Sequence, residues 1–152
     1  MMASDLTLLV PYDRSPAGLR GLETAFRLAK SEKHSTVHAV YVVVVDRRMP
    51  LDADLPDLSE RGEICLAEAE ELAHRYKLTV QGEILQARDV GHAIVDEALE
   101  LSADAIVIGV ARSGREGMAL DLGKTSEYIL RHAPCEVILV RDGAAVDGVQ
   151  NV

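Results

Sequence analysis

The chain has 152 residues, of which 48% are apolar, enough for one domain with a real core, and no apolar run nears the ~20 residues that span a bilayer. Sixteen basic side chains against 25 acidic ones give a net charge of −9, which repels nucleic acid and anionic membranes, so any phosphate site has to be local. Cys65 and Cys135 lie far apart outside any C-x-x-C pair and read as two reduced, buried side chains, and the start "MMASDLTLLVPYD" lacks a secretory pattern, which makes the cytoplasm the expected compartment.

Taken in order, the chain alternates strand and helix. "LTLLVPY" (Leu6–Tyr12) is a short apolar strand that ends at a turn. In "SPAGLRGLETAFRLAKS", Ser15 suits a helix cap and Pro16 the first helical position. Leu19, Leu22, Phe26 and Ala29 are expected on its inner face. "TVHAVYVVVVD" (Thr36–Asp46) is the clearest strand, and the Pro- and Asp-rich "RRMPLDADLPD" after it is expected to be a mobile loop. "LSERGEICLAEAEELAHRYKL" predicts a long helix with Leu66, Ala69, Leu72, Ala73 and Tyr76 on one side. "TVQGEILQA" is a third strand and "GHAIVDEALELSA" a third helix. "DAIVIGV" is a strand apolar enough to be covered on both faces, and "TSEYILRHA" with "CEVILVRD" completes the pattern. Residues 1–142 are expected to form one domain and 143–152 a loose tail.

This alternation implies an α/β fold, a parallel sheet with right-handed crossovers and helices on both faces. Ligands in such sheets sit beyond the carboxyl ends of the strands, where the winding reverses. The turns "PYDRS", "VVVVDRR", "QARDVG" and "GVARSG" are therefore the places to search. The first contains no glycine, so the G-x-G-x-x-G fingerprint is missing where it is needed. Gly123-Lys124-Thr125 looks like the end of a P-loop, but Met118 stands where that motif requires glycine. His34, His38, His74, His92 and His132 do not fall at metal-ligand spacing, and there is no H-E-x-x-H and no G-x-S-x-G. With Phe26 the single Phe and no Trp, few rings are available to sandwich a flavin.

Two features remain. Asp13 follows the first strand and can accept hydrogen bonds from a ribose hydroxyl or an amine; it can equally be a turn residue that helps Ser15 start the helix. The loop "IGVARSGREGMALDLGKTSEY" (Ile108–Tyr128) combines glycines, the cations Arg112, Arg115 and Lys124, the hydroxyls Thr125 and Ser126, and a following helix N-terminus. It reads either as a phosphate cradle or as a glycine-relieved connection.

The stretches "LLVPYDRSPAGLRGLETAFRLA", "ADAIVIG" and "LGKTSEYILRHAPCEVILVR" together resemble the universal stress protein family over nearly the whole chain. The resemblance implies a Rossmann-like sheet of the adenine-nucleotide alpha-hydrolase type, five parallel strands in the order 3-2-1-4-5. It also implies an ATP site in the crevice between strands 1 and 4, with Pro11 and Asp13 near the adenosine and the Val42 backbone on the adenine. The family's phosphate loop reads G-x2-G-x9-G-[S/T], and this sequence departs from it. Counting from Gly109 the second glycine falls at Arg112, counting back from Gly123 it falls at Ser113, and Gly114 satisfies neither. Lys124 stands where the hydroxyl belongs, with Thr125 and Ser126 just after.

Two functions follow as expectations. One is a regulatory module that binds ATP or another adenine nucleotide, with or without Mg²⁺, through Pro11, Asp13, Val42, Gly109, Arg112, Gly114, Gly123, Lys124, Thr125 and Ser126; it is at most a slow ATPase. The other is a nucleotide-free protein whose dimer surface carries the signal; a homodimer through the apolar edge strand Glu136–Arg141 is expected under both. An unrelated flavodoxin-like electron carrier is the third and most remote reading.

Overall fold

Side-chain alternation in the inner strands sends apolar groups to both faces of the sheet. In the first strand Leu8 and Val10 point one way and Leu9 the other, and all three are fully buried. Ala105 and Val107 against Ile106 and Ile108 repeat the pattern in the fourth. Only a sheet covered on both sides accommodates that. A computed structural model describes residues 5–111 and 122–142. It contains β1 (Leu6–Pro11), α1 (Pro16–Lys30), β2 (Ser35–Val44), α2 (Pro56–Arg75), β3 (Val80–Ala87), α3 (Val90–Leu101), β4 (Ala105–Val110), α4 (Gly123–His132) and β5 (Glu136–Arg141). The strands form one parallel five-stranded sheet in the order β3-β2-β1-β4-β5, as the resemblance implied.

One apolar core lies under α1 and α2, built around Leu8, Val10, Leu22, Phe26, Val37 and Cys65. The other lies under α3 and α4, around Leu9, Val40, Ile94, Ile106, Ile108 and Ile129. The ring of Tyr76, just past α2, packs on Phe26 with centroids 5.5 Å apart.

α1 begins as its sequence predicts: the Ser15 hydroxyl accepts from the Gly18 amide at 3.0 Å and Pro16 opens the helix. Its inner face differs from the expectation. Gly18 and Gly21 sit inward with Leu22, Phe26 and Ala29, while Leu19 is exposed. A Cβ on Gly21 would stand 2.9 Å from the Gly109 amide, so the helix approaches β4 too closely for a larger residue there and Leu19 is turned to the flank.

The segment between β2 and α2, expected to be mobile, is tied down. The Arg88 guanidinium donates to the carbonyls of Val45 (3.4 Å), Asp46 (2.6 Å) and Met49 (2.9 Å). The Gln86 amide holds those of Leu51 (2.8 Å) and Ala53 (3.0 Å). No helix among the described residues is long and apolar enough to cross a membrane. Cys65 is buried as expected, whereas Cys135 is only partly so; both are free thiols.

Candidate functional site

Strands β1 and β4 are neighbours, but their helices leave in opposite directions, α1 to one face and α4 to the other. A crevice of about 410 Å³ opens where they part, beyond the carboxyl ends of the strands. Six of the residues singled out from sequence meet there: Pro11, Asp13, Val42, Gly109, Thr125 and Ser126. Gly123 and Lys124 lie in the first turn of α4 and are not part of the lining. Arg112 and Gly114 fall outside the described residues.

On the β2 side, pairing of β1 with β2 stops at Pro11 and Val40, and the Tyr12 amide donates to the Val40 carbonyl at 2.9 Å. In a parallel ladder the residue two further on presents its backbone groups in the same direction. The N–H and C=O of Val42 therefore face the space that β1 has just left. Apolar walls come from Val40, Val90 and Ile108. Such a slot suits a flat heteroaromatic ring with a polar edge.

The β1–α1 turn forms the rim. The Asp13 carboxylate accepts from the Ser15 amide at 3.0 Å, so the turn-forming role is real, and it lines the crevice as well. Arg14 follows with φ +70°, a conformation costly for a residue with a Cβ. Its guanidinium is clamped to Glu68 of α2 by Nε–Oε1 at 2.9 Å and Nη2–Oε2 at 2.8 Å. Cys65 of the same helix donates its thiol to the Tyr12 carbonyl at 3.3 Å. Burial first, then the nearby carboxylates of Asp13 and Glu68, push that thiol up to about 12. Cys65 is thus a hydrogen-bond donor at neutral pH and not a nucleophile. Burial likewise raises the Tyr12 phenol.

On the β4 side the crevice is closed by the start of α4. Leu122 at the N-cap makes no side-chain cap, unlike Ser15 before α1 and Asp89 before α3. Ser126 is 8% exposed, lines the crevice, and its hydroxyl has no hydrogen-bond partner among the described residues. Gly109, counted from sequence as the first glycine of the phosphate loop, has a packing reason for its identity: a Cβ there would collide with the Ala17 carbonyl of α1. The site residues named from sequence did not include Tyr12, Ser15, Gly18, Val40, Tyr41, Val90 and Ile108 of the lining, although Tyr12 and Ser15 lie in a turn singled out for search. Tyr41 could have been found, since it is the one aromatic residue within the second strand's apolar run.

A profile of the universal stress protein family matches residues 6–141. None of the curated proteins matches significantly by sequence. Among solved structures, a universal stress protein from Archaeoglobus fulgidus is 19% identical with a TM-score of 0.71, covering 91% of this chain and 99% of that one. One from Lactobacillus plantarum is 26% identical with a TM-score of 0.62, covering 92% and 100%. A third, from Arabidopsis thaliana with AMP bound, is 16% identical with a TM-score of 0.68, covering 91% and 93%. Others with this fold are complexes with cAMP and, from Archaeoglobus fulgidus, with dAMP. The match over residues 6–141 and the shared sheet order together make this chain a member of the universal stress protein family.

Proposed function

We propose that this protein is a regulatory module that binds an adenine nucleotide, ATP or a relative, in the β1/β4 crevice, with slow or no hydrolysis. The observation that carries the reading is Ser126. A hydroxyl 8% exposed, without a partner among the described residues, sits at the positive end of a helix whose N-cap residue, Leu122, supplies no side-chain cap, and lines the crevice. Buried polar groups are as a rule satisfied, a ligand oxygen would satisfy this one, and a phosphate oxygen is the acceptor that a helix N-terminus favours. The base would lie against Val42, the ribose over Pro11 and Asp13, and the phosphates toward Thr125 and Ser126, with Gly123 and Lys124 serving from the first turn of α4 and Arg112 and Gly114 from the segment before it. AMP, cAMP and dAMP complexes of similar proteins support the adenine part of this reading. Among the described residues no group of three or more His, Cys, Asp or Glu is assembled to hold a metal. Mg²⁺ would arrive with the phosphates of ATP.

Calorimetric titration of nucleotide-stripped protein with Mg·ATP, AMP and GTP tests it. Binding of the adenine nucleotides at micromolar level is expected, weakened about tenfold by Ser126→Ala. No heat up to millimolar nucleotide at two temperatures overturns the reading. One observation favours the alternative, a nucleotide-free dimer. Packing against Ala17 alone accounts for Gly109; the edge strand β5, where Leu139 is 39% exposed, suits a dimer under either reading. In that case light scattering on the same sample would show a dimer that ignores nucleotide, joined through Glu136–Arg141.

A further inference from the structure

A second cleft of about 380 Å³ adjoins the crevice and shares two of its walls, Asp13 and Tyr41. Its other walls are Arg14 and Arg61. The groups facing it are mostly donors. Arg14 uses Nε and one terminal nitrogen on Glu68, which leaves the rest of its fork of five N–H groups for another acceptor. Arg61 of α2 has no ion-pair or hydrogen-bond partner among the described residues, and neither has the Tyr41 hydroxyl. The sole carboxylate of the lining, Asp13, stands at the junction of the two clefts and is already engaged by the Ser15 amide. The hollow is rich in donors in a chain of net charge −9, with Glu68 balancing Arg14 and the Arg61 guanidinium left to face the cleft beside Asp13.

We propose that this cleft is an anion subsite, and that the ligand is an adenine nucleotide carrying a second phosphate on a ribose hydroxyl. The inference rests on the nucleotide reading above. In doubly wound folds a carboxylate beyond a strand end reads a free ribose hydroxyl, and in other members an arginine near that place accommodates a ribose phosphate instead. Here both are present, on the same side of the crevice. The helix α4 end that suits a 5′-phosphate lies at the opposite side, where Thr125 and Ser126 line the first cleft and not the second. A ribose over Asp13 therefore has its 5′ arm toward α4 and its hydroxyl edge toward Arg14 and Arg61. Asp13 takes the free hydroxyl, and the phosphate on its neighbour meets the guanidinium groups, an arrangement for which arginine's planar fork is suited.

The test compares AMP with adenosine 2′,5′-bisphosphate and adenosine 3′,5′-bisphosphate by calorimetry on the full chain, in wild type and Arg61→Gln. One bisphosphate is expected to bind about tenfold tighter than AMP, with the ratio collapsing in Arg61→Gln and shrinking as salt is raised. Which of the two is preferred identifies the hydroxyl. If AMP binds but neither bisphosphate gains over it, or if the gain survives Arg61→Gln, the subsite is overturned and the crevice reading stands. If none of the three binds, and ATP does not either, both fall.

Discussion

Gly109 and Gly123 belong to one loop in the sequence, yet they are glycine for different physical reasons. A side chain at Gly109 meets the Ala17 carbonyl, so α1 has to move; a side chain at Gly123 meets nothing within 4 Å among the described residues but inherits φ +81°. Gly109→Ala is accordingly expected to cost about 3 kcal/mol or more, and Gly123→Ala about 1 kcal/mol. Urea unfolding of the two variants checks this, and equal losses would contradict it. Counting glycines along the chain could not make the distinction, because the residue that demands Gly109 is ninety-two positions away, on α1. Asp13 was legible as a rim residue, since its place after the first strand follows from the alternation alone. Its partner in shaping the rim, Glu68, was not: it lay in a helix face rich in carboxylates, where nothing local marks the one that clamps Arg14.

At the scale of elements, every strand and helix expected from periodicity is present, with ends displaced by at most three residues. Helix α2 opens two residues early because Pro56 fits its first turn. The loop after β2 is where composition misled. Pro and Asp in "RRMPLDADLPD" describe a segment without its own ladder, but not the side chains that reach it from β3 and the residue beyond. Arg88 supplies three of those bonds, so Arg88→Ala is expected to raise the rate of tryptic cleavage at Arg47 and Arg48 several-fold and to cost about 1 kcal/mol in global stability. An unchanged cleavage rate would show that Gln86 alone holds the loop.

Across the whole molecule, acidic excess makes stability depend on pH through a few placed groups. The Glu97 carboxyl is pushed up to about 7, first by its hydrogen bond with Glu83, then by burial and by the charges of Glu83 and Glu100. Its folded value lies above the unfolded one, so its contribution is intact below about pH 4.3 and is lost as pH rises toward 7. On the same side of the sheet, burial lowers His38, with Glu83 opposing it, which acts in the opposite sense and costs stability as pH falls below about 6.5. Glu97→Gln is expected to melt higher than wild type at about pH 8 and level with it at about pH 4. A difference that does not vary with pH would mean the Glu83–Glu97 contact is not the cause. The two apolar cores have a consequence of another kind. They touch different helix pairs and share only the sheet between them, and the crevice opens on their seam. A small molecule lodged there would touch Asp13 of one layer and Val90 and Ser126 of the other, bracing the halves together. Its presence can then be read from the outside of either helix pair, without a hinge or a second domain to relay it.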